Sequence, residues 1–415
     1  MDRQFFEGNR QALYKKLEAG SLLVMFSGKA PRKTSDEDYA YFTNRDFLYL
    51  TGIEQAKTVL MTVVEEGEYK EKLYILPSDL LAERWNGRRI KAQEAEEKSG
   101  ILEYGYVEQF EGEFRRIVES GNIKNIYLDF ESVFLQDGGS EAHHFAGKVR
   151  KEYPYLNIKD AHPILKELRT IKKPCEIEAM RKAEIITGAG IEAMMRASKP
   201  GMYEYQYKAE FDYALAQRGV LEPGFPSIIS AGDNNFCIHY YSYKGQAKDG
   251  AMILNDVGAV WDYEINDVSR TFPCNGKFTE RQKLLYQCAY NTSEYMFSII
   301  KPGMLMEDVD KTIRKYNYEQ LHQAGVCKSF DEIGKYMWHG GAHHVGFDVH
   351  DVVNVPGTRT IEPGMVFCVD IGIYHEEWGI GFRLEDNCLV TEDGCENLSK
   401  KIPRTIEEIE GVMGR

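Results

Sequence analysis

The tetrapeptide Lys-Pro-Gly-Met occurs twice in the second half of this 415-residue chain, at 199–202 and at 301–304. Each copy lies between two long helical patterns, the second of which ends near 216–219 or near 322–325. Strand-like segments follow each helix pair. A recurring pattern of this kind indicates a duplicated structural unit, so the second half is predicted to fold as two related α+β halves. The alternative is that the tetrapeptide only stops helices.

The first 160 residues have a different pattern, in which short apolar segments alternate with charged helical stretches. The apolar segments lie at 21–26, 58–64, 72–76 and 126–130. Such alternation predicts an α/β domain. A chain of this length is too long for one ordinary core, and a join is expected near Ala161-His162-Pro163. The sequence therefore predicts two domains, at 1–162 and 163–415.

Composition excludes several classes of protein. Lys and Arg number 51 against 65 Asp and Glu, a net charge of −14 without a basic cluster, so nucleic acid is not an expected partner. The N-terminus lacks the pattern of a secretory signal, and no apolar run approaches the roughly 18 residues of a membrane span. We expect a cytoplasmic protein without membrane contact. The 8 cysteines lack any CxxC pair, which favours reduced, mostly buried thiols.

Five potential metal ligands stand in order in the second half, within segments rich in glycine and β-forming residues. They are Asp256, Asp267, His343, Asp370 and Glu385. Two divalent ions repel each other unless anionic ligands surround and bridge them, and this set offers four carboxylates and one imidazole. A water shared by both ions loses a proton easily, so the predicted reaction is metal-assisted hydrolysis by a bridging hydroxide. Any one of these residues alone would be interpreted as capping, solvated or packing. Their joint order and local context indicate a metal site.

These segments resemble the dinuclear-metal aminopeptidase P and prolidase family, whose catalytic domain has the pita-bread fold. Segments 46–52 (DFLYLTG) and 84–89 (RWNGRR) resemble the aminopeptidase P branch in the first half, as do 270–273 (RTFP), 276–279 (GKFT) and 348–351 (DVHD) in the second. The resemblance implies an α+β protein with a C-terminal, pseudo-twofold pita-bread catalytic domain and an N-terminal α/β domain. It also implies a homodimer or homotetramer and two divalent ions, with Mn²⁺ favoured and Zn²⁺ or Co²⁺ as alternatives.

The resemblance also implies roles for the five ligands. Asp267 and Glu385 would bridge the two ions, Asp256 would complete the shell of one, and His343 with Asp370 would complete the shell of the other. Bridging suits a carboxylate, which has two oxygens.

Further catalytic residues are implied around the ligands. His239, His339 and His350 match histidines that contact the substrate or the developing oxyanion, where an imidazole donates a hydrogen bond or moves a proton. Without the resemblance, His239 would be interpreted as a core histidine on a strand. Arg383 lies two residues before Glu385, hence on the same face of an extended strand, where it would orient a carboxylate or a peptide carbonyl.

Three aromatic residues are implied in substrate binding. Phe225 and Tyr374 match wall positions that suit a flat, apolar proline ring. Trp85 matches a tryptophan that, in tetrameric relatives, reaches the active site of a neighbouring subunit.

One departure from the family occurs at the fourth ligand. The usual Glu-Pro-Gly is replaced by Asp-Ile-Gly at 370–372, which shortens the carboxylate arm by one methylene and removes the proline. Because Asp370 is both the expected ligand and the expected proton acceptor, this replacement puts one metal site and the rate in doubt. Cys368, two residues before Asp370, would lie on the same side of a strand as Asp370. This position alone does not make its thiol a ligand.

The predicted function is a metal-dependent aminopeptidase that hydrolyses the N-terminal Xaa-Pro bond of peptides with proline at the second position. The tertiary amide of that bond lacks an N–H and demands a dedicated pocket. A prolidase confined to Xaa-Pro dipeptides is the alternative enzyme. A metal-free amidinohydrolase related to creatinase would not be expected to keep the five ligands. The non-enzyme alternative is a binding module that has lost catalysis. Among the five ligands, only Asp370 favours it.

Overall fold

A computed structural model of the protein describes residues 1–131, 139–356 and 358–414. The chain divides into two compact units, Met1–Arg169 and Thr170–Arg415. Both units mix helices and strands, and the expected α+β organisation is confirmed.

The boundary between the units lies at the end of the helix His162–Thr170, whereas the sequence predicts the join at its start. Contacts within the N-terminal unit account for the difference. Arg169 donates to the carboxylate of Asp46 at 2.8 Å, and the Tyr49 hydroxyl donates to the carbonyl of Leu168 at 3.0 Å. The helix therefore packs with the residues that precede it in the chain.

The N-terminal unit has a mixed six-stranded sheet at its centre. Its strands are β1 (Ser21–Phe26), β2 (Val59–Glu65), β3 (Glu68–Ile75), β4 (Tyr104–Tyr106), β5 (Asn125–Leu128) and β6 (Asn157–Asp160). Its helices are α1 (Arg3–Tyr14), α2 (Arg45–Thr51), α3 (Leu80–Asn86), α4 (Ala92–Ser99), α5 (Val107–Glu119), α6 (Glu141–Glu152) and α7 (His162–Thr170). The sheet order is β4-β3-β2-β1-β5-β6, with β2 antiparallel to both β1 and β3 and the other pairs parallel. Leu22 and Val24 of β1 pack against Phe110, Phe114 and Phe145 of α5 and α6.

The C-terminal unit contains two three-stranded antiparallel sheets, each preceded by a pair of long helices. Its helices are α8 (Pro174–Ala197), α9 (Glu204–Ala216), α10 (Glu280–Ile299), α11 (Met306–Gln323) and α12 (Ile406–Met413). Its strands are β7 (Ile228–Ala231), β8 (Met252–Val257), β9 (Val260–Trp261), β10 (Glu264–Ile265), β11 (Val268–Pro273), β12 (Val366–His375), β13 (Ile380–Val390) and β14 (Cys395–Asn397). The sheet orders are β11-β8-β7 and β12-β13-β14, and β9 with β10 forms a separate hairpin.

The two Lys-Pro-Gly-Met segments make equivalent turns. Gly201, between α8 and α9, has φ +89, and its N–H donates to the carbonyl of Ala247 at 2.7 Å. Gly303, between α10 and α11, has φ +92, and its N–H donates to the carbonyl of Ile361 at 3.0 Å. This backbone conformation favours glycine. The tetrapeptide therefore marks corresponding positions in two related halves, and the interpretation as a helix stop alone is wrong.

Side chains of β11 join the two sheets. Arg270, fully buried, donates to the carbonyl of Glu385 at 2.8 Å and to the carboxylate of Asp386 at 2.7 Å. The Thr271 hydroxyl donates to the carbonyl of Arg383 at 3.0 Å. These contacts hold β11 beside β13. The first two residues of Arg-Thr-Phe-Pro therefore link the two sheets.

The remaining expectations about the chain concern thiols and membranes. All 8 cysteines are free, and five are buried: Cys274, Cys288, Cys327, Cys368 and Cys388. Within the described ranges, none of the helices combines the length and the apolar character that a membrane span requires.

Candidate metal centre

A cavity of about 460 Å³ lies where the two sheets of the C-terminal unit meet, and all five predicted ligands line it. Asp256 lies on β8, Asp370 on β12 and Glu385 on β13. Asp267 immediately precedes β11 rather than lying within a strand, and His343 lies in the loop between α11 and β12. The other lining residues are Ile238, His239, His339, Gly340, Ala342, His350 and Arg383.

His343 lies close to two of the other ligands. Its Nε2 lies 3.3 Å from Glu385 Oε1 and 3.6 Å from Asp267 Oδ2. Donor atoms of these three residues and the Cys368 thiol all lie within 4.8 Å of one another. Such spacing suits donors that share one ion. Asp370 lines the same cavity but does not belong to this set.

Unsatisfied oxygens show that the four carboxylates fit metal ions. Each has one buried oxygen to which no described residue donates a hydrogen bond: Asp256 Oδ1, Asp267 Oδ1, Asp370 Oδ1 and Glu385 Oε1. Buried oxygens normally have a partner, because an unpaired one costs free energy. Burial raises the pKa of Asp267 well above its usual value, and the carboxylates of Glu385 and Asp256 raise it further. Divalent cations bound among these groups would keep them ionised.

The imidazole of His343 is also suited to a ligand. Burial lowers its pKa, but the nearby carboxylate of Glu385 outweighs burial and raises the pKa to about 9. A metal ligand must be the neutral imidazole, so ion binding at His343 releases a proton.

Asp370 contacts a predicted catalytic histidine. Its Oδ2 lies 3.1 Å from His339 Nδ1, and the charge of His339 lowers the pKa of this carboxyl although burial opposes the effect. His339 Nε2 lies 3.2 Å from the Tyr374 hydroxyl. A Cβ at Gly372 would lie 2.2 Å from the same nitrogen. Glycine at that position therefore leaves the space that His339 occupies.

Arg383 holds Asp256 in place. A guanidinium nitrogen lies 2.8 Å from Asp256 Oδ2, and another donates to the carbonyl of Ile238 at 3.2 Å and to the Tyr374 hydroxyl at 3.4 Å. Burial lowers the pKa of Arg383, but Asp256 outweighs burial and raises it. Arg383 thus contacts both a carboxylate and a peptide carbonyl of the chain itself.

The two remaining histidines, His350 and His239, also line the cavity. His350 lies edge-on to His343, with ring centroids 4.5 Å apart, and burial lowers its pKa, as do the charges of His343 and His239. His239 is exposed in a turn after the 3₁₀ helix Gly232–Phe236. The interpretation of His239 as a core residue on a strand is therefore wrong.

The three predicted substrate-binding residues lie in different places. Tyr374 is buried, and its ring stacks on Trp338 at 4.6 Å. Phe225 is half-buried beside Gly258. It is not one of the described residues that line the cavity. Trp85 lies on α3 of the N-terminal unit with 82 % of its surface exposed.

Sequence reasoning missed two residues that support the ligands. The Ser269 hydroxyl donates to Glu385 Oε2 at 2.9 Å. The Asn387 side chain donates to the carbonyl of Asp267 and accepts from its N–H at 3.3 Å. Each lies two residues after a predicted ligand, which is the spacing of one face of an extended strand. This two-residue spacing could have identified Ser269 and Asn387 from the sequence.

Comparison with known families agrees with this geometry. Residues 178–392 match Metallopeptidase family M24, and residues 6–127 match the family described as Aminopeptidase P, N-terminal domain. The chain belongs to metallopeptidase family M24. Its M24 segment contains all five ligands, and the predicted resemblance to the aminopeptidase P family is confirmed.

Relatives of known name cover the whole chain. The Xaa-Pro aminopeptidase of Escherichia coli strain K12 is 30% identical over 100% of this chain and 98% of its own length. A structure described as a candidate aminopeptidase P from Bacillus anthracis has a TM-score of 0.97 and 36% identity, covering 100% of this chain and 99% of its own. The E. coli aminopeptidase P with the inhibitor Pro-Leu has a TM-score of 0.92 and 29% identity, covering 100% and 98%.

Proposed function

We propose that this M24 protein is a metal-dependent aminopeptidase that hydrolyses the N-terminal Xaa-Pro bond of peptides. The observation that carries the proposal is the cavity in which four carboxylates, each with an unpartnered buried oxygen, surround His343. The similarity to Xaa-Pro aminopeptidases over the full chain supports the substrate class.

Two divalent ions fit this set of donors. Asp267 and Glu385 would contribute to both ions, Asp256 to one, and His343 with Asp370 to the other. Bound there, the ions would lower the pKa of a water molecule and stabilise negative charge on the peptide oxygen. Hard oxygen donors predominate, so Mn²⁺ is the proposed native ion, with Zn²⁺ and Co²⁺ as substitutes.

The chain's own side chains position the substrate and move protons. His350 and His239 line the cavity beside His343, where an imidazole donates a hydrogen bond to the developing oxyanion. His339 contacts Asp370 and Tyr374 and would pass a proton to the leaving amine. Arg383 contacts Asp256 and holds its carboxylate at the cavity.

Tyr374 is fully buried, and it contacts residues of the cavity wall through its hydroxyl. Tyr374 presents its hydroxyl to His339 and Arg383 while Trp338 stacks on its ring. The inhibitor Pro-Leu of the E. coli relative begins with proline, the residue that follows the bond to be cleaved. Because proline lacks an amide N–H, recognition must come from ring contacts and from carbonyl oxygens.

The decisive experiment compares peptide lengths with the Mn²⁺-loaded protein. We expect cleavage of a tripeptide such as Ala-Pro-Leu between alanine and proline, and no cleavage of Ala-Ala-Leu. Cleavage of Ala-Pro but not of Ala-Pro-Leu would replace the proposal by a prolidase. No cleavage of any of these peptides would leave the binding-module alternative.

We propose that the chain assembles as a homodimer or homotetramer. Helix α3 has no buried residue among those described, and it presents Leu80, Leu81 and Trp85 to solvent. Single exposed apolar residues are common, but several on one short helix indicate an interface. Light scattering at micromolar concentration should give at least twice 47.6 kDa, and Trp85→Ser should lower that mass. A particle of 47.6 kDa for the parent would refute the assembly.

A further inference from the structure

A thiol that the predicted ligand set lacks lies close to three of the predicted ligands. Atoms of Asp267, His343, Cys368 and Glu385 all lie within 4.8 Å of one another. The distances from His343 to the two carboxylates are 3.3 and 3.6 Å. Donors at tetrahedral positions around an ion with bonds of 2.0–2.3 Å are roughly 3.3–3.8 Å apart. The two distances from His343 therefore match those of donors that share one ion.

Backbone pairing places the thiol there. The Cys368 N–H donates to the carbonyl of His343 at 2.8 Å, so the loop that carries His343 runs alongside β12. Cys368 is paired with Asn387 and Asp370 with Glu385, so Cys368 is a diagonal neighbour of Glu385 across the two strands. Cys368 and Asp370 are two residues apart on an extended strand, so both lie on the same side of β12, where Asp370 lines the cavity and Cys368 is buried with Val366 and Leu389.

Asp370 leaves room for another donor at this ion. Its Oδ2 lies 3.1 Å from His339 Nδ1, and its carboxylate does not belong to the close set of four. Cys368 is completely buried. The thiol, unlike the shortened carboxylate, therefore belongs to the set in which every donor atom lies within 4.8 Å of the others.

We propose that Cys368 is a ligand of the ion held by Asp267, His343 and Glu385, and that it raises the affinity of this position for thiophilic ions relative to the other position of the centre. The proposal rests on the dinuclear centre of the proposed function. On binding, the thiol loses its proton to solvent as the sulfur–metal bond forms. Thiolate donors favour Zn²⁺ and Cd²⁺, whereas sites of carboxylates alone favour Mn²⁺. The second ion, next to Asp256, would lack this selectivity.

The test compares Cys368→Ser with the matched control Cys288→Ser. Cys288 is also buried, but it lies on α10 and is not one of the close-set donors. Exposed Cys175 and Cys237 are first alkylated in all samples. After loading with Co²⁺, the parent and Cys288→Ser should show a near-ultraviolet sulfur-to-cobalt charge-transfer band that Cys368→Ser lacks. The ratio of Cd²⁺ to Mn²⁺ affinity, from chelator competition, should fall about tenfold or more in Cys368→Ser only.

Two outcomes would overturn the proposal. One is a parent that binds two Co²⁺ ions, or none, without the sulfur band. The other is a folded Cys368→Ser with the parent's band and affinity ratio. Thermal unfolding of the metal-free variants checks folding, and Cys368→Thr serves if the serine variant does not fold. A parent that shows the band yet cleaves none of the Xaa-Pro peptides would refute the proposed activity while leaving the thiol ligand supported.

Discussion

Asp370 lies directly opposite Glu385 in the β12–β13 pairing, so two carboxylates on adjacent strands face one cavity. Burial raises the pKa of Glu385, and the charge of Asp370 raises it further. These carboxylates therefore repel each other in the cavity, and bound cations would relieve the repulsion.

Metal removal is expected to abolish activity and to lower stability. Chelation should stop Xaa-Pro cleavage, and Mn²⁺ should restore it. Because ions bind the folded state, Mn²⁺ at 100 times its Kd should raise the free energy of unfolding by about 2.7 kcal/mol per site. Urea unfolding with and without Mn²⁺ measures this difference. Full turnover in a rigorously metal-free sample would contradict the prediction.

Asp370→Ala should lower kcat by more than about 100-fold, beyond the effect typical of residues that only support a ligand. The change removes a donor and the partner of His339 together. Asp370→Glu is the matched variant, since it keeps the carboxylate and restores one methylene, and it should still bind both ions. Metal titration and kcat are measured for both. Asp370→Ala with the parent's metal affinity and rate would show that Asp370 is not a ligand.

Arg383→Met should destabilise the metal-free protein by about 3 kcal/mol, because Asp256 would be left as an uncompensated buried charge. Divalent ions should recover part of this loss, since they supply positive charge beside the same carboxylate. The control is Arg181→Met, whose ion pair with Glu396 at 2.7 Å is partly exposed and should contribute at most about 1 kcal/mol. Equal losses in the two variants, measured by urea unfolding, would contradict the prediction.

His162 should make the N-terminal unit's stability depend on pH. Burial lowers its pKa, but Asp129 and Asp46 outweigh burial and raise the pKa to about 10. A folded-state pKa above the unfolded value contributes stability that is complete below about pH 6.5 and lost as pH rises through about 10. His162→Gln should therefore cost roughly 1–2 kcal/mol at pH 6, after allowance for solvent screening, and less at pH 9.5.

Urea midpoints at the two pH values measure the effect. The control His144→Gln replaces an exposed histidine on α6 and should change neither midpoint. A His162→Gln loss that grows with pH would contradict the assigned ion pair.

Elements with strong local signals were predictable from the sequence. The apolar run at 21–26 is β1, and the long helical pattern before the first Lys-Pro-Gly-Met is α8, Pro174–Ala197, with proline in its first turn. In contrast, β3 begins at Glu68, four residues before the predicted apolar run at 72–76. Its first residues are polar and exposed, and pairing with β2 holds them extended. Such pairing is not encoded in the local pattern.

The sequence by itself determined which side chains can bind metal, because donor chemistry is a property of each residue and Asp256, Asp267, His343 and Glu385 occur in order in distinctive segments. It also determined that Asp370 has a shorter arm than its family equivalent. Only the tertiary structure decided which donors meet. Arg383 pairs with Asp256 because β13 lies beside the β11–β8 sheet, and Cys368 joins His343 because a loop runs along β12. These contacts depend on distances between segments remote in sequence, which side-chain identity does not specify.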